Sequence, residues 1–324
     1  MAQYRNQYRP VDGLLLLNKP RGLSSNQALQ RVRRLYQAKK AGHTGSLDPL
    51  ATGLLPVCFG EGTKISGFLL DADKRYRVGC RLGVTTTTGD AEGEVLVSGD
   101  VPDLDDAALE SALVPLRGPI LQVPPMYSAL KHEGQRLYKL ARQGLEVERP
   151  ARPVTIHGFE LVQRSGPADL VLDVHCSKGT YVRTLVEDLG LALGCGAHVT
   201  LLHRQALGPF QAPVMVSLEE LEQIAERDGR PGLDALLLPV ERGLSNWPDV
   251  HLSAEAARLL QQGRTVLQDQ DQEQDQHELT PSGEPEQGNR LGPGLVRLFG
   301  PGGFLGMGQI LDDGRIAPKR LLRH

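Results

Sequence analysis

The chain has 324 residues, 40% of them hydrophobic and 23% charged, which is long for one ordinary globular domain and comfortable for two. No apolar run approaches the roughly 20 residues of a bilayer span, and no signal-peptide pattern opens the chain, so a membrane protein and a secreted one are both unexpected. The net charge of −3 argues against nucleic acid only until it is mapped: seven acids and no Lys or Arg lie between Thr265 and Asn289, the remainder carries +4, and residues 1–40 hold nine Lys or Arg against Asp12 alone.

Residues 1–10 read as a frayed arm. Leu14 to Leu17 form a buried strand, and Lys19-Pro20-Arg21-Gly22 is a turn. Ser24 or Ser25 then caps a helix whose apolar stripe is Ala28, Leu29, Val32, Leu35 and Tyr36. Arg31, Arg33 and Arg34 fall largely outside that stripe, toward solvent or RNA. Asp48 follows in a loop rich in Gly, Thr and Ser. On local grounds Asp48-Pro49 is a good N-cap and N1 pair.

Arg75 to Gly83 alternates, with Tyr76, Val78, Cys80 and Leu82 on one face and Arg75, Arg77 and Arg81 on the other, as in a half-buried strand. Asp90, Glu92 and Glu94, flanked by Gly89 and Gly93, read as a hairpin loop rather than a glycosidase pair. Leu170 to Cys176 is a second alternating strand. The turn Ser177-Lys178-Gly179 leads into a helix marked by Val182, Leu185, Val186 and Leu189 and closed by Gly190. Tyr181 and Arg183 sit at that strand–turn–helix junction, where side chains commonly reach a cleft. Strands and helices interleave without βαβ repetition, which predicts an α+β fold with a mixed or antiparallel sheet.

A boundary is expected near residue 250. Ser253 to Gln262 is a short helix ending at Gly263. Gln268 to Gln276 has no hydrophobic residue and reads as a disordered loop. Leu295 to Phe299 and Phe304 to Leu311 are two strands around a Gly-Pro-Gly-Gly turn. Deleting residues 268–289 is expected to leave turnover largely intact, as a discontinuous assay on the shortened chain would show. A folding defect would contradict the loop reading.

Two weaker signals point elsewhere. Gly60-Glu61-Gly62-Thr63-Lys64 lacks the spacing of a phosphate loop. Cys195, His198 and His203 offer three zinc ligands in apolar surroundings, without a fourth. Cys58, Cys80, Cys176 and Cys195 form no CxxC, as expected of reduced thiols in the cytoplasm.

Gly42 to Gly53, GHTGSLDPLATG, resembles the hallmark segment of the TruB family of pseudouridine synthases, which isomerise uridine 55 in the T loop of tRNA. The resemblance continues in order. It takes in Leu14 to Pro20 with Gly22 and Ser24, then Lys74-Arg75-Tyr76 with Leu82-Gly83. Val123 to Lys131 with Gly134 and Tyr138 come next, and Cys176 to Leu185 after them. The C-terminal unit resembles a PUA-type RNA-binding domain, with the acidic insertion as a departure from the compact form.

The resemblance implies a pseudouridine synthase fold, its central sheet flanked by helices, with a small β-rich PUA-like domain at the end. Residues 1–250 would be the catalytic domain with a central RNA-binding insertion. Residues 251–324 would be the PUA-like domain, with the acidic loop at about 268–289. Asp48 would be the nucleophile. Tyr76 would stack on the target base and assist proton removal. Arg183 would pair with the aspartate. His43 would take the place of the flipped base in the RNA stack, and Tyr181 and Leu202 would line the uracil pocket. Lys19 would contact RNA, and Lys64 would face RNA or serve conformation.

The net reaction is neither redox nor hydrolytic, so no cofactor and no metal are expected. The expected partner is the tRNA T stem-loop, met by a monomer without an obligatory protein partner or membrane. A guide-dependent synthase of the related class and a non-catalytic tRNA-folding protein are the competing readings. An intact Asp48, Tyr76 and Arg183 argue against the second of these.

Overall fold

The structure, a computed structural model, describes residues 8–267 and 293–323. The expectation for residues 268–289 lies outside the described residues, as does that for 1–7. Arg9 is no part of a frayed arm. Its backbone N–H donates to the Gln37 carbonyl at 2.7 Å, and its guanidinium holds Asp234.

β1 (Gly13–Lys19) is hydrophobic on both faces, and Leu14, Leu15, Leu16 and Leu17 are all buried, as a strand covered on both sides requires. Ser24 caps α1 (Ser25–Leu35) with a full capping box, in which its Oγ accepts from the Gln27 N–H and the Gln27 side chain accepts from its own. Such a cap contributes about 1 kcal/mol. β2 (Ala41–His43) and β3 (Thr52–Phe59) flank the Asp48 loop, and α2 (Ser66–Asp71) precedes β4 (Lys74–Leu82). On β4 Tyr76, Val78, Cys80 and Leu82 are buried, as the alternation predicts.

β5 (Val84–Thr86) and β6 (Val95–Ser98) form a hairpin whose loop carries Asp90, Glu92 and Glu94. α3 (Asp106–Leu113), β7 (Gly118–Gln122), the small hairpin β8 (Lys131–His132) and β9 (Gln135–Arg136), and α4 (Leu137–Ala141) follow. The long strand β10 (Arg152–Arg164) turns back into β11 (Asp169–Cys176), which leads to α5 (Val182–Ala192) and β12 (Ala197–Leu207). β13 (Val216–Ser217), α6 (Leu218–Arg227) and α7 (Gly229–Asp234) complete this part.

These strands make a nine-stranded mixed sheet in the order β13-β1-β3-β12-β4-β11-β10-β7, with β2 paired to β3. β1–β13 and β3–β12 are parallel and the other pairs antiparallel. β12 lies between β3 and β4, so Arg204 is in register with Gly53 on one side and Tyr76 on the other. That placement brings the end of the Asp48 loop beside the catalytic tyrosine candidate.

Five further strands make a second sheet. β14 (Asp249–His251) is followed by α8 (Ala254–Gln261), β15 (Val266–Leu267), β16 (Gly294–Gly300), β17 (Gly303–Ile310) and β18 (Arg315–Leu321), in the order β14-β16-β17-β18-β15. This sheet has its own core around Leu252, Leu260, Val296, Leu298 and Ile316. It also shares a core with the larger sheet, because Phe304, Met307 and Leu322 pack with Leu14, Leu16, Ile65 and Phe210. Burial of three large side chains at that joint is worth several kcal/mol, on the order of 2 per side chain.

Candidate active site

The Asp48 loop is held from below by groups that leave its carboxylate free. Ser25 Oγ accepts from the Leu47 N–H at 2.7 Å and lies 3.1 Å from the Leu47 carbonyl, to which it donates. The Pro49 carbonyl accepts from the Gly22 N–H at 2.8 Å. Gly45 takes φ +80° and Gly53 φ +95°, the left-handed region that favours glycine, so the sharp entry and exit of the loop explain both residues.

No helix follows Asp48. The chain turns at Asp48–Ala51, with the Asp48 carbonyl accepting from the Ala51 N–H at 3.1 Å, and continues into β3. The local expectation of a helix cap is therefore corrected. Asp-Pro serves a turn as well as a helix start, because proline's fixed φ suits both.

The Asp48 carboxylate lies 2.9 Å from Nε of Arg183. Asp48 is 40% exposed and Arg183 only 5%, so the carboxylate opens toward a ligand while the cation stands behind it. Arg183 is fixed by two further bonds, Nη1 to the Thr88 carbonyl at 2.6 Å and Nη2 to the Tyr127 carbonyl at 2.7 Å. Asp90, in the β5–β6 loop and itself buried, approaches Arg183 Nε to 3.7 Å. One guanidinium thus joins the Asp48 loop, the hairpin loop and the segment after β7. Burial in the cleft floor raises the Asp48 carboxyl above its ordinary 3.8, Arg183 opposes that rise, and Asp90 adds to it.

Tyr76, 8% exposed on β4, pairs across to Val174 and Arg204. Burial pushes its phenol up and Arg204 opposes that, so at neutral pH the ring is uncharged and free to stack. Tyr181 is the N-cap residue of α5, two positions before Arg183. Gln122 grips its backbone from both sides, accepting from the N–H at 2.7 Å and donating to the carbonyl at 3.1 Å. Burial raises the Tyr181 phenol, and the charge of Asp48 reaches it as it reaches Tyr76. Leu202 is buried on β12 opposite Val78. His43 ends β2, and burial with the nearby Arg204 lowers its pKa, leaving a neutral imidazole whose buried Nδ1 has no hydrogen-bond partner among the described residues.

The two lysines of the expected set lie elsewhere. Lys19 is fully buried, and its Nζ donates to the carbonyls of Pro20 at 2.9 Å, Leu23 at 2.6 Å and Pro49 at 3.5 Å. Burial lowers its pKa to about 8, with Asp48 acting against that. It is a post under the loop, out of reach of a ligand. Lys64 pairs with Glu61 at 2.5 Å and donates to the Leu321 carbonyl at 3.2 Å, so it ties the 3-10 turn Gly60–Lys64 to β18.

The zinc alternative also fails on position. His198 Nδ1 lies 2.9 Å from the Val84 carbonyl and His203 Nδ1 2.9 Å from Thr52 Oγ1. The ligand atoms that gather among the described residues are those of Asp73, His157 and His175, within 4.8 Å of one another at the surface. In that group His157 Nε2 lies 3.2 Å from the Asp73 carboxylate.

The sequence reading missed Asp90 as a partner of Arg183, and it missed Arg204. Leu202, Arg204 and Ala206 alternate onto one buried face of β12, so a lone cation among apolar strand positions was the available signal for the second.

Residues 33–182 match the N-terminal domain of the TruB family pseudouridylate synthases. Residues 183–245 match the C-terminal domain of tRNA pseudouridylate synthase B, and residues 248–322 a further C-terminal domain of pseudouridine synthase II TruB. The tRNA pseudouridine synthase B of Nitrosococcus oceani is 56% identical over 321 residues, 99% of this chain and 97% of that protein. The protein of the same name from Pseudomonas aeruginosa is 52% identical over the whole of both chains. Among solved structures, a chain of a Cbf5–Nop10–Gar1 complex superposes with a TM-score of 0.68 at 24% identity, over 94% of this chain and 79% of that one. A chain of an H/ACA RNP bound to a substrate RNA containing 2′-deoxyuridine gives 0.67 at 20% identity, over 96% and 85%. At that identity these structures show a common fold.

Proposed function

The chain belongs to the TruB family of pseudouridylate synthases, and on that premise we propose that it isomerises uridine 55 in the T loop of tRNA to pseudouridine, with Asp48 as the covalent or proton-abstracting carboxylate. The observation that carries the reading is the Asp48–Arg183 pair, with an open carboxylate backed by a buried cation. The reaction breaks the N1–C1′ bond, turns the uracil and joins C5 to C1′. C5 loses a proton and N1 gains one, so the net composition is unchanged. Attack at C6, attack at C1′ and removal of the 2′ proton all start from an ionised Asp48, which Arg183 favours.

Uridine must leave the T-loop stack to reach Asp48. Tyr76 offers the flipped base a neutral ring, with Tyr181 and Leu202 as the other walls of the pocket. His43 fills the gap left in the RNA. The exposed Arg21, Arg31, Arg34, Lys39 and Lys40 and the basic residues of the central insertion supply phosphate contacts, and residues 251–324 act as a PUA-like RNA-binding unit. We read the protein as a cytoplasmic monomer that needs no protein partner.

The test is to incubate the purified chain with an unmodified tRNA transcript, with no guide RNA or added protein, and to map pseudouridine. Product at the T-loop uridine is expected. Product only when guide RNA and partner proteins are supplied would move the chain to the guide-dependent class, and none in either case would overturn the reading.

Asp90→Asn gives a second check. The reacting carboxylate must be ionised, and its pKa stands above the ordinary value. The acid limb of the single-turnover rate should therefore lie above 3.8 in the wild type. Removing the negative charge of Asp90 makes Asp48 easier to ionise, so the limb should move to lower pH in the variant. A limb that stays or rises would show that Asp90 does not act on Asp48.

A further inference from the structure

Arg204 is 1% exposed, and among the described residues no carboxylate pairs with it. A guanidinium stays charged at any pH a protein meets, so an unpaired buried one is costly, and well-packed apolar residues of similar volume are usually as stable or more so. Its retention here calls for a use. The groups around it supply one. Nε donates to the Leu54 carbonyl at 2.6 Å and Nη2 to the Gly45 carbonyl at 3.2 Å. Gly45 and Leu54 bracket the loop that carries Asp48. Arg204 is in register with Tyr76 on β4 and with Gly53 on β3, so its side chain leaves β12 on the face that carries the Tyr76 ring. A Cβ on Gly53 would stand 2.4 Å from the Arg204 carbonyl, so the backbones are already in closest approach at this point.

We infer that Arg204 is a positioning residue for the isomerisation, joining both ends of the Asp48 loop to the strand that carries Tyr76 so that carboxylate and ring meet the flipped base in fixed relation. The inference rests on the reading of Asp48 and Tyr76 as parts of the reacting centre. Its charge also bears on the phenol. Burial raises the Tyr76 pKa and the charge of Arg204 opposes that rise. The acceptors of its Nε and Nη2 are neutral carbonyls, and among the described residues no acid forms an ion pair with it.

The experiment is a double-mutant cycle. Single-turnover pseudouridine formation and tRNA affinity are measured for Arg204→Lys and Arg204→Gln, each with Tyr76 intact and with Tyr76→Phe. Lysine keeps the charge but has no planar fork to hold both carbonyls at once, and glutamine keeps donors without the charge. With Tyr76 intact the rate should fall by about 30-fold while tRNA affinity holds within about threefold, and in the Tyr76→Phe background the fall should shrink by about fivefold or more. The same loss factor in both backgrounds would overturn the inference, as would an unchanged rate. Loss of the folded state in both variants would make Arg204 a structural post and overturn it too. Product formation by the wild-type chain tests the underlying function separately.

Discussion

Asp48→Asn is expected to abolish pseudouridine formation, by about 10⁴-fold or more in single-turnover rate, while tRNA affinity stays within a few-fold. Asparagine keeps the shape of the side chain and an oxygen that can still accept from Arg183 Nε, now 2.9 Å from the carboxylate. It has no charge and no nucleophilic oxygen, and every route to the product begins with one. The loop itself should not move, because Ser25, Lys19 and the Gly22 N–H hold its backbone and none of them touches the carboxylate. Stability follows from the sign of the pKa shift. The folded carboxyl stands above its unfolded value, so ionising Asp48 costs stability as pH rises through the ordinary aspartate range. A neutral asparagine avoids that cost, and the melting temperature at pH 7 should not fall. Filter binding, thermal melting and product mapping on one preparation test all three points. Retained turnover would remove Asp48 from the chemistry. A large loss of affinity would make it an RNA contact instead.

The elements that local pattern could carry were legible. The Leu14–Leu17 run, the alternating Tyr76 strand, the capped helix after Ser24 and the Arg183 helix all follow from neighbours a few residues apart. What escaped was set by partners far along the chain. Asp90 reads as a hairpin-loop acid because nothing in residues 84–98 says that Arg183 will come to it. Arg204 matters because β12 inserts between β3 and β4, and no local pattern predicts that neighbour. Lys19 was misplaced for a related reason, and Lys64 took the conformational one of its two expected roles. A lysine that caps carbonyls and one that meets phosphate look the same in sequence. Asp48-Pro49 was ambiguous in itself, and the strand that follows, not the dipeptide, decided for a turn. β18 contains Pro318, which weakens any strand signal in Arg315–Leu321 even though an edge-proximal position tolerates it.

Replacing Arg183 by methionine should cost about 10²–10³-fold in rate and, unlike Asp48→Asn, should also harm the fold. Arg183 is the chief influence that keeps Asp48 ionised against burial and against Asp90. Without it Asp48 and Asp90 share a cleft floor with no guanidinium between them, which makes Asp48 harder to ionise. The acid limb of the rate should therefore move to higher pH, the opposite direction from Asp90→Asn. Glu187 feels the same two charges in the same directions, so the paired shifts assign the limb to Asp48 only together with the loss of turnover in Asp48→Asn. The carbonyls of Thr88 and Tyr127 also lose their donor, which loosens the hairpin loop and the segment after β7 at once. A lower melting temperature should accompany the rate loss for that reason. Arg183→Lys separates the two effects. Lysine restores a charge near Asp48 and should return the acid limb most of the way, but it has no planar fork to reach both carbonyls, so stability should recover less. A lysine variant that restored stability and left the limb displaced would contradict the division of labour drawn here, in which the charge serves Asp48 and the fork serves the loops.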